Sequence, residues 1–215
     1  MKKTTKPTDA PPKRAWQRML SGRRLDLLNP SPDDIEIEDI AHGLARVARW
    51  NGQTLGSHAF SVAQHALVVE EIASGRNGDW PPRWRLAALL HDASEYVVGD
   101  LISPFKNAIG LNYKAFELRL LAAIHVRFGL PAELPQTIQS EIKAADRIAA
   151  FYEATQLAGF DEGEATIFFG QPEGLRIELM NALQNLMPVQ AEPAQQRFLA
   201  RFRALMDDSW TPPSA

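Results

Sequence analysis

Residues 86–100 read LAALLHDASEYVVGD, and this stretch decides the fold. The apolar run Leu86-Ala87-Ala88-Leu89-Leu90 predicts a buried helix, extending from about Pro82 to Val97 and stopped by Gly99. His91 and Asp92 follow the run directly, which places them at the inner end of that helix. On a helix His91, Asp92 and Glu95 stand at i, i+1 and i+4, an arc of roughly 100°. All three then reach one site. Buried charge is costly unless it is paired or coordinated, so the pattern asks for a partner.

Two further helices supply it. One, from about Ala59 to Ser74, carries His65 among Val62, Val68, Val69 and Ile72. A longer one, over 136–158, carries Asp146 on a face with Ile142, Ala149 and Ala150. Alone, His65 reads more readily as a satisfied core histidine than as a ligand. Two imidazoles and two carboxylates turned inward from three helices predict one divalent metal ion held by His65, His91, Asp92 and Asp146. Imidazole and carboxylate donors suit Mn, Co, Fe, Zn or Mg rather than soft ions.

Working outward, Ile37, Ile40, Ala41, Leu44, Val47 and Ala48 repeat at helical spacing, with Glu38 and Asp39 in the first turn. Further helices are expected at 112–128, 173–187 and 193–207. The acidic run Asp161-Glu162-Gly163-Glu164 reads as a solvated loop, and Ile167-Phe168-Phe169 as a candidate short strand. No sheet is expected. The fold class is all-α, one domain of about seven or eight helices over 21–208. Residues 1–20 are expected to form a loosely ordered tail and 209–215 a flexible C-terminal one.

Composition narrows the function classes. The 215 residues carry 45% hydrophobic and 23% charged side chains, ordinary for a globular domain. A net charge of −3 argues against a general electrostatic grip on nucleic-acid polymers. The absence of cysteine excludes disulfides, thiolate metal sites and cysteine nucleophiles, and fits a cytoplasmic location. No apolar run approaches the roughly 20 residues of a membrane span. The basic start has no apolar segment behind it and does not read as a secretory signal.

Three stretches carry a family resemblance: SVAQHALVV at 61–69, ALLHDASEYVVGDLISPFK at 88–106 and AADRIAAFYEA at 144–154. Together they resemble the HD-domain metal-dependent phosphohydrolases, and within them the branch containing bacterial 5′-deoxynucleotidases. The family pattern H…HD…D falls on His65, His91, Asp92 and Asp146. Arg49-Trp50 matches an Arg-Trp pair upstream. The resemblance covers about residues 40 to 158. Two departures bear on substrate preference: Gln64-His65-Ala66 stands where the branch has Glu-His-Ser, and the loop 75–82 is shorter and differently built.

The resemblance implies a helical HD fold and removal of phosphate from a nucleotide or related small phosphomonoester. It implies Glu95 and Asp100 as catalytic carboxylates, one orienting or deprotonating water and the other assisting the leaving oxygen. Arg49 is then a phosphate clamp, Lys106 an added point charge and Trp50 a wall of the sugar or base pocket. The expected partner is a small phosphorylated substrate, with a homodimer as the assembly considered. Two alternatives stay open. An alarmone-type pyrophosphohydrolase is disfavoured because such families show HDxxED and this chain has Tyr96 after Glu95. A non-catalytic metal- or nucleotide-binding regulator is disfavoured by the intact ligands and carboxylates. His42 and His58 flank the site in sequence, and His125 sits in the stripe Leu120-Leu121-Ile124-Phe128 as a structural residue.

Overall fold

The computed structural model describes residues 15–78, 80–100 and 113–207. The expected charge at Lys106 therefore lies outside the described residues. Nine α-helices are present among those described. They are α1 (Ile37–Leu44), α2 (Val62–Arg76), α3 (Pro82–Leu89), α4 (Glu95–Val98), α5 (Tyr113–Arg127), α6 (Gln136–Gln156), α7 (Glu162–Phe169), α8 (Ile177–Leu183) and α9 (Ala191–Asp207). The all-α expectation holds.

At the centre lies α2. Ser61 caps it by accepting from the Gln64 backbone N–H at 3.3 Å. It packs against α6 on one side and α3 and α9 on others. Val62, Ala63, His65, Ala66, Val69, Ile72 and Ala73 are all buried, so the helix is covered almost all round. Glu70 is buried too. It takes hydrogen bonds from Arg85 at 3.0 Å and from Arg201 at 2.7 and 2.8 Å, tying α2, α3 and α9 into one knot. Elsewhere α1 packs against α4 and α9. Gly43 makes the first of these contacts possible, because a Cβ there would lie 2.8 Å from Tyr96 Cβ.

The structure corrects several local expectations. The single helix expected from Pro82 to Val97 is two, α3 and α4, separated by turns over 90–94. Beyond Leu90 the backbone bonds run i→i+3, from Ala93 to Leu90, Glu95 to Asp92 and Tyr96 to Ala93. The His91 ring also engages Ala88 O at 2.9 Å, competing for a carbonyl at the helix end.

The acidic run at 161–164 is no loop. Asp161 accepts from Glu164 N at 2.8 Å and Glu164 accepts from Asp161 N at 3.4 Å, a capping box that starts α7. Ile167-Phe168-Phe169 is the end of that helix, not a strand. A two-stranded antiparallel sheet was not expected either: β1 (Trp16–Arg18) pairs with β2 (Arg24–Asp26). Its first strand falls inside the stretch 1–20 read as a tail. Asp39 of α1 holds the hairpin turn, accepting from the Ser21 backbone N–H at 2.9 Å and the Ser21 hydroxyl at 2.6 Å.

Candidate metal centre

Each ligand candidate is placed by a different local device. His65 lies one turn into α2, and its N–H bonds to Ser61 O at 3.0 Å. His91 and Asp92 occupy the tightened turns where α3 gives way to α4. Asp146 lies in the middle of α6, between buried Ala145 and Ala149.

These side chains converge. One donor atom each from His65, His91 and Asp146 lies within 4.8 Å of the others. Asp92 joins them, with Oδ2 3.1 Å from His91 Nε2 and 3.5 Å from His65 Nε2. Asp146 Oδ1 is 3.2 Å from His65 Nε2. The imidazole rings sit 5.2 Å apart, centroid to centroid. His42, His58 and His125 lie outside this group.

The donor set fits a divalent ion. Both His65 Nε2 and His91 Nε2 are buried and make no hydrogen bond of acceptable geometry, despite the nearby carboxylates. The other nitrogen of each ring is committed. His91 Nδ1 faces the Ala88 carbonyl, which can only accept, so Nδ1 carries the proton. His65 Nδ1 faces Glu153 Oε1 at 2.5 Å. In the neutral rings both Nε2 lone pairs are left for a ligand bond.

The electrostatics agree. Burial and the Arg49 charge oppose protonation of His65, yet the surrounding Glu153, Asp146 and Asp92 outweigh both. Its pKa is held well above the ordinary imidazole value. The side chains of Asp92 and Asp146 remain 26% and 38% exposed; partial desolvation works against their ionisation, but the two histidines keep both below the usual carboxylate range.

Behind His65 lies a residue that sequence reading passed over. Glu153 is fully buried. Besides His65, it accepts from Trp50 Nε1 at 2.9 Å and from Arg49 Nε at 3.3 Å. Burial pushes its pKa up, but His65 and Arg49 pull it down to about 2. Its signal was present: Glu153 follows Asp146 by two helical turns and so shares its face.

Arg49 and Trp50 come from a short 3-10 turn over Arg49–Gly52. Trp50 has φ 56° and ψ 28°, and Asn51 has φ 51°. A bulky residue in the left-handed region stores strain on the order of 1–3 kcal/mol and persists only where its surroundings hold it. The hold is visible. Arg49 N–H bonds to Phe60 O at 2.8 Å, and the indole ring packs on Phe160 and Phe169 at 5.7 and 5.8 Å. Arg49 also donates to Asp100 Oδ2 at 3.1 Å. Burial opposes the Arg49 charge, but Glu153 and Asp100 more than restore it and raise its pKa. Glu95 is buried at the start of α4, three residues beyond Asp92.

A helical chain that brings one histidine, a His-Asp pair and a distant aspartate onto one point has the H…HD…D arrangement of the HD-domain superfamily. A family model described as 5′-deoxynucleotidase YfbR-like matches residues 41–190, and the chain belongs to that family. The match runs past residue 158, where the resemblance read from the sequence ends. An uncharacterised protein of Rhodobacter capsulatus is 63% identical over 172 residues, covering 78% of this chain and 88% of that protein. The uncharacterised protein YfdR of Escherichia coli is 30% identical over 190 residues, covering 88% of this chain and 95% of that protein. Among the described residues, no helix is long and apolar enough to cross a membrane.

Proposed function

We propose that the chain is a metal-dependent phosphomonoesterase that removes phosphate from a nucleotide or related small phosphomonoester. The observation that carries this reading is the pair of buried Nε2 atoms without hydrogen bonds, aimed at one point beside Asp92 and Asp146. Membership of a 5′-deoxynucleotidase-like family supports the substrate class.

His65, His91, Asp92 and Asp146 hold the ion. When bound, a divalent metal lowers the pKa of water and neutralises charge on phosphate. Glu95 orients the attacking water and takes its proton. Arg49 binds the phosphate through its planar fork, and Trp50 walls the sugar or base. Asp100, paired with Arg49 in the resting protein, takes up a proton from solvent once phosphate displaces it from Arg49 and passes that proton to the leaving oxygen. Lys106, outside the described residues, would add a point charge toward the phosphate.

A panel of nucleoside monophosphates, sugar phosphates and guanosine polyphosphates, assayed for phosphate release with Mn, Co, Mg and Zn, tests this. We expect phosphate from monoesters only with added metal. Pyrophosphate release from the polyphosphates, with no action on monoesters, would favour the pyrophosphohydrolase alternative.

A further inference from the structure

We infer that Glu153 is a positioning residue that couples metal affinity to the grip on phosphate. The inference rests on the metal centre proposed above and goes beyond it. The two oxygens of this fully buried carboxylate are divided between two tasks. Oε1 meets His65 Nδ1, the back of a metal ligand, at 2.5 Å. Oε2 takes the Trp50 indole N–H at 2.9 Å and the Arg49 Nε–H at 3.3 Å.

A carboxylate serving only to neutralise Arg49 would not need this arrangement, since Asp100 already pairs with the same guanidinium at 3.1 Å. Glu153 instead spans from α6 to α2 and to the turn that carries Arg49 and Trp50. An acceptor on His65 Nδ1 keeps the proton there, leaves the Nε2 lone pair for metal and raises its basicity. The other oxygen fixes the direction of the Arg49 fork. It also holds the indole of Trp50, whose backbone is in the left-handed region.

Glu153→Gln separates these roles from simple packing. The amide keeps the size but has one acceptor oxygen, so it serves either His65 or the Arg49-Trp50 pair, and its NH2 faces donors at the other end. Affinity for Mn, Co or Zn, measured by titration calorimetry on substrate-free protein, is expected to fall about 10–100-fold. Binding of inorganic phosphate to the metal-saturated protein is expected to weaken as well. If Glu153→Gln does not fold, Glu153→Asp carries the same test, because a side chain one methylene shorter does not span both ends. Wild-type affinity for metal and phosphate in the folded variant overturns the inference alone, whatever its melting temperature. A wild-type protein that binds none of the three metals overturns the metal centre along with it.

Discussion

Arg49 Nη1 donates to Asp100 Oδ2 across 3.1 Å, joining the turn before α2 to the residue that follows Gly99 at the end of α4. Both side chains are largely withdrawn from solvent. Under the proposed function, a phosphate that engages Arg49 would compete with Asp100 for the same guanidinium and release that carboxylate to take up a proton.

Arg49→Ala is accordingly expected to raise KM and lower kcat together, with a loss of about 10–100-fold in kcat/KM for a lost charged hydrogen bond. Arg49→Lys should restore only part of it, because an ammonium cannot reproduce the fork. Steady-state kinetics on both variants decide. Unchanged constants would remove Arg49 from the substrate site and leave the metal centre standing.

Removing a ligand tests the ion directly. Asp92→Ala or His91→Ala is expected to abolish metal binding, read by elemental analysis after gel filtration. In the wild-type protein the melting temperature should rise with added Mn or Co and fall on chelation, since a ligand of the native state stabilises it. Full metal content in Asp92→Ala would refute the assignment.

Glu95→Ala should keep metal content and lose about 10²–10⁴-fold in kcat, the usual contribution of a positioned acid or base. The pair of measurements matters. Wild-type turnover shows another group activates the water, whereas loss of metal shows Glu95 serves the ion.

Gly43→Ala tests the contact between α1 and α4. A new methyl group would lie 2.8 Å from Tyr96 Cβ and 2.9 Å from Tyr96 O, so backbone must move. Helix propensity favours alanine by about 1 kcal/mol, against an overpacking cost of about 1–3 kcal/mol. Net destabilisation is expected in urea titrations. It should come with reduced kcat, because the displaced residue is next to Glu95. An equally or more stable variant would show that the two helices part easily.

The fifth prediction concerns pH. Burial lowers the pKa of His125, only partly opposed by the backbone carbonyls of Ala132 and Pro131. The unfolded chain, with a histidine pKa of about 6.5, then binds the proton more readily. This contribution to stability is present above that pH and is lost as pH falls through and below it. In chelated protein, the urea midpoint should fall less between pH 7 and 5 in His125→Gln than in the wild type. Parallel curves would place the acid sensitivity elsewhere.

Where burial followed from apolar periodicity, the sequence was a good guide. His65, His91, Asp92 and Asp146 announce themselves as polar groups on apolar faces, and the structure brings all four together. Glu153 was as well placed, but Phe151 and Tyr152 beside it mark no obvious inward face, and its partners lie 88 to 104 residues away. The break at 90–94 was not legible because no glycine or proline stands at Leu90-His91-Asp92-Ala93-Ser94 to mark a helix end. At the end of α3 both the His91 ring and its backbone N–H turn to Ala88 O, a contact that apolar periodicity does not encode. The start of α7 was written locally, in Asp161 and Glu164, and was masked by its acidity and by the β-branched and aromatic residues at its far end. The hairpin depends on Asp39, 18 residues from the serine it holds, and no short-range pattern encodes that.

The knot at Glu70 ties α2 and α3 to α9. The family match ends at residue 190, where α9 has not yet begun. Yet α9 supplies Arg201, which meets both oxygens of the buried Glu70, and it places Phe198, Phe202 and Leu205 in the core. A chain cut at the end of the match would leave Glu70 with Arg85 as its remaining cation among these contacts. It would also bare the apolar side of α2 and α3, the two helices that deliver His65 and the His-Asp pair. The family match thus stops short of a helix that packs on α2 and α3, so the helices carrying His65 and leading to the His-Asp pair draw part of their support from beyond it.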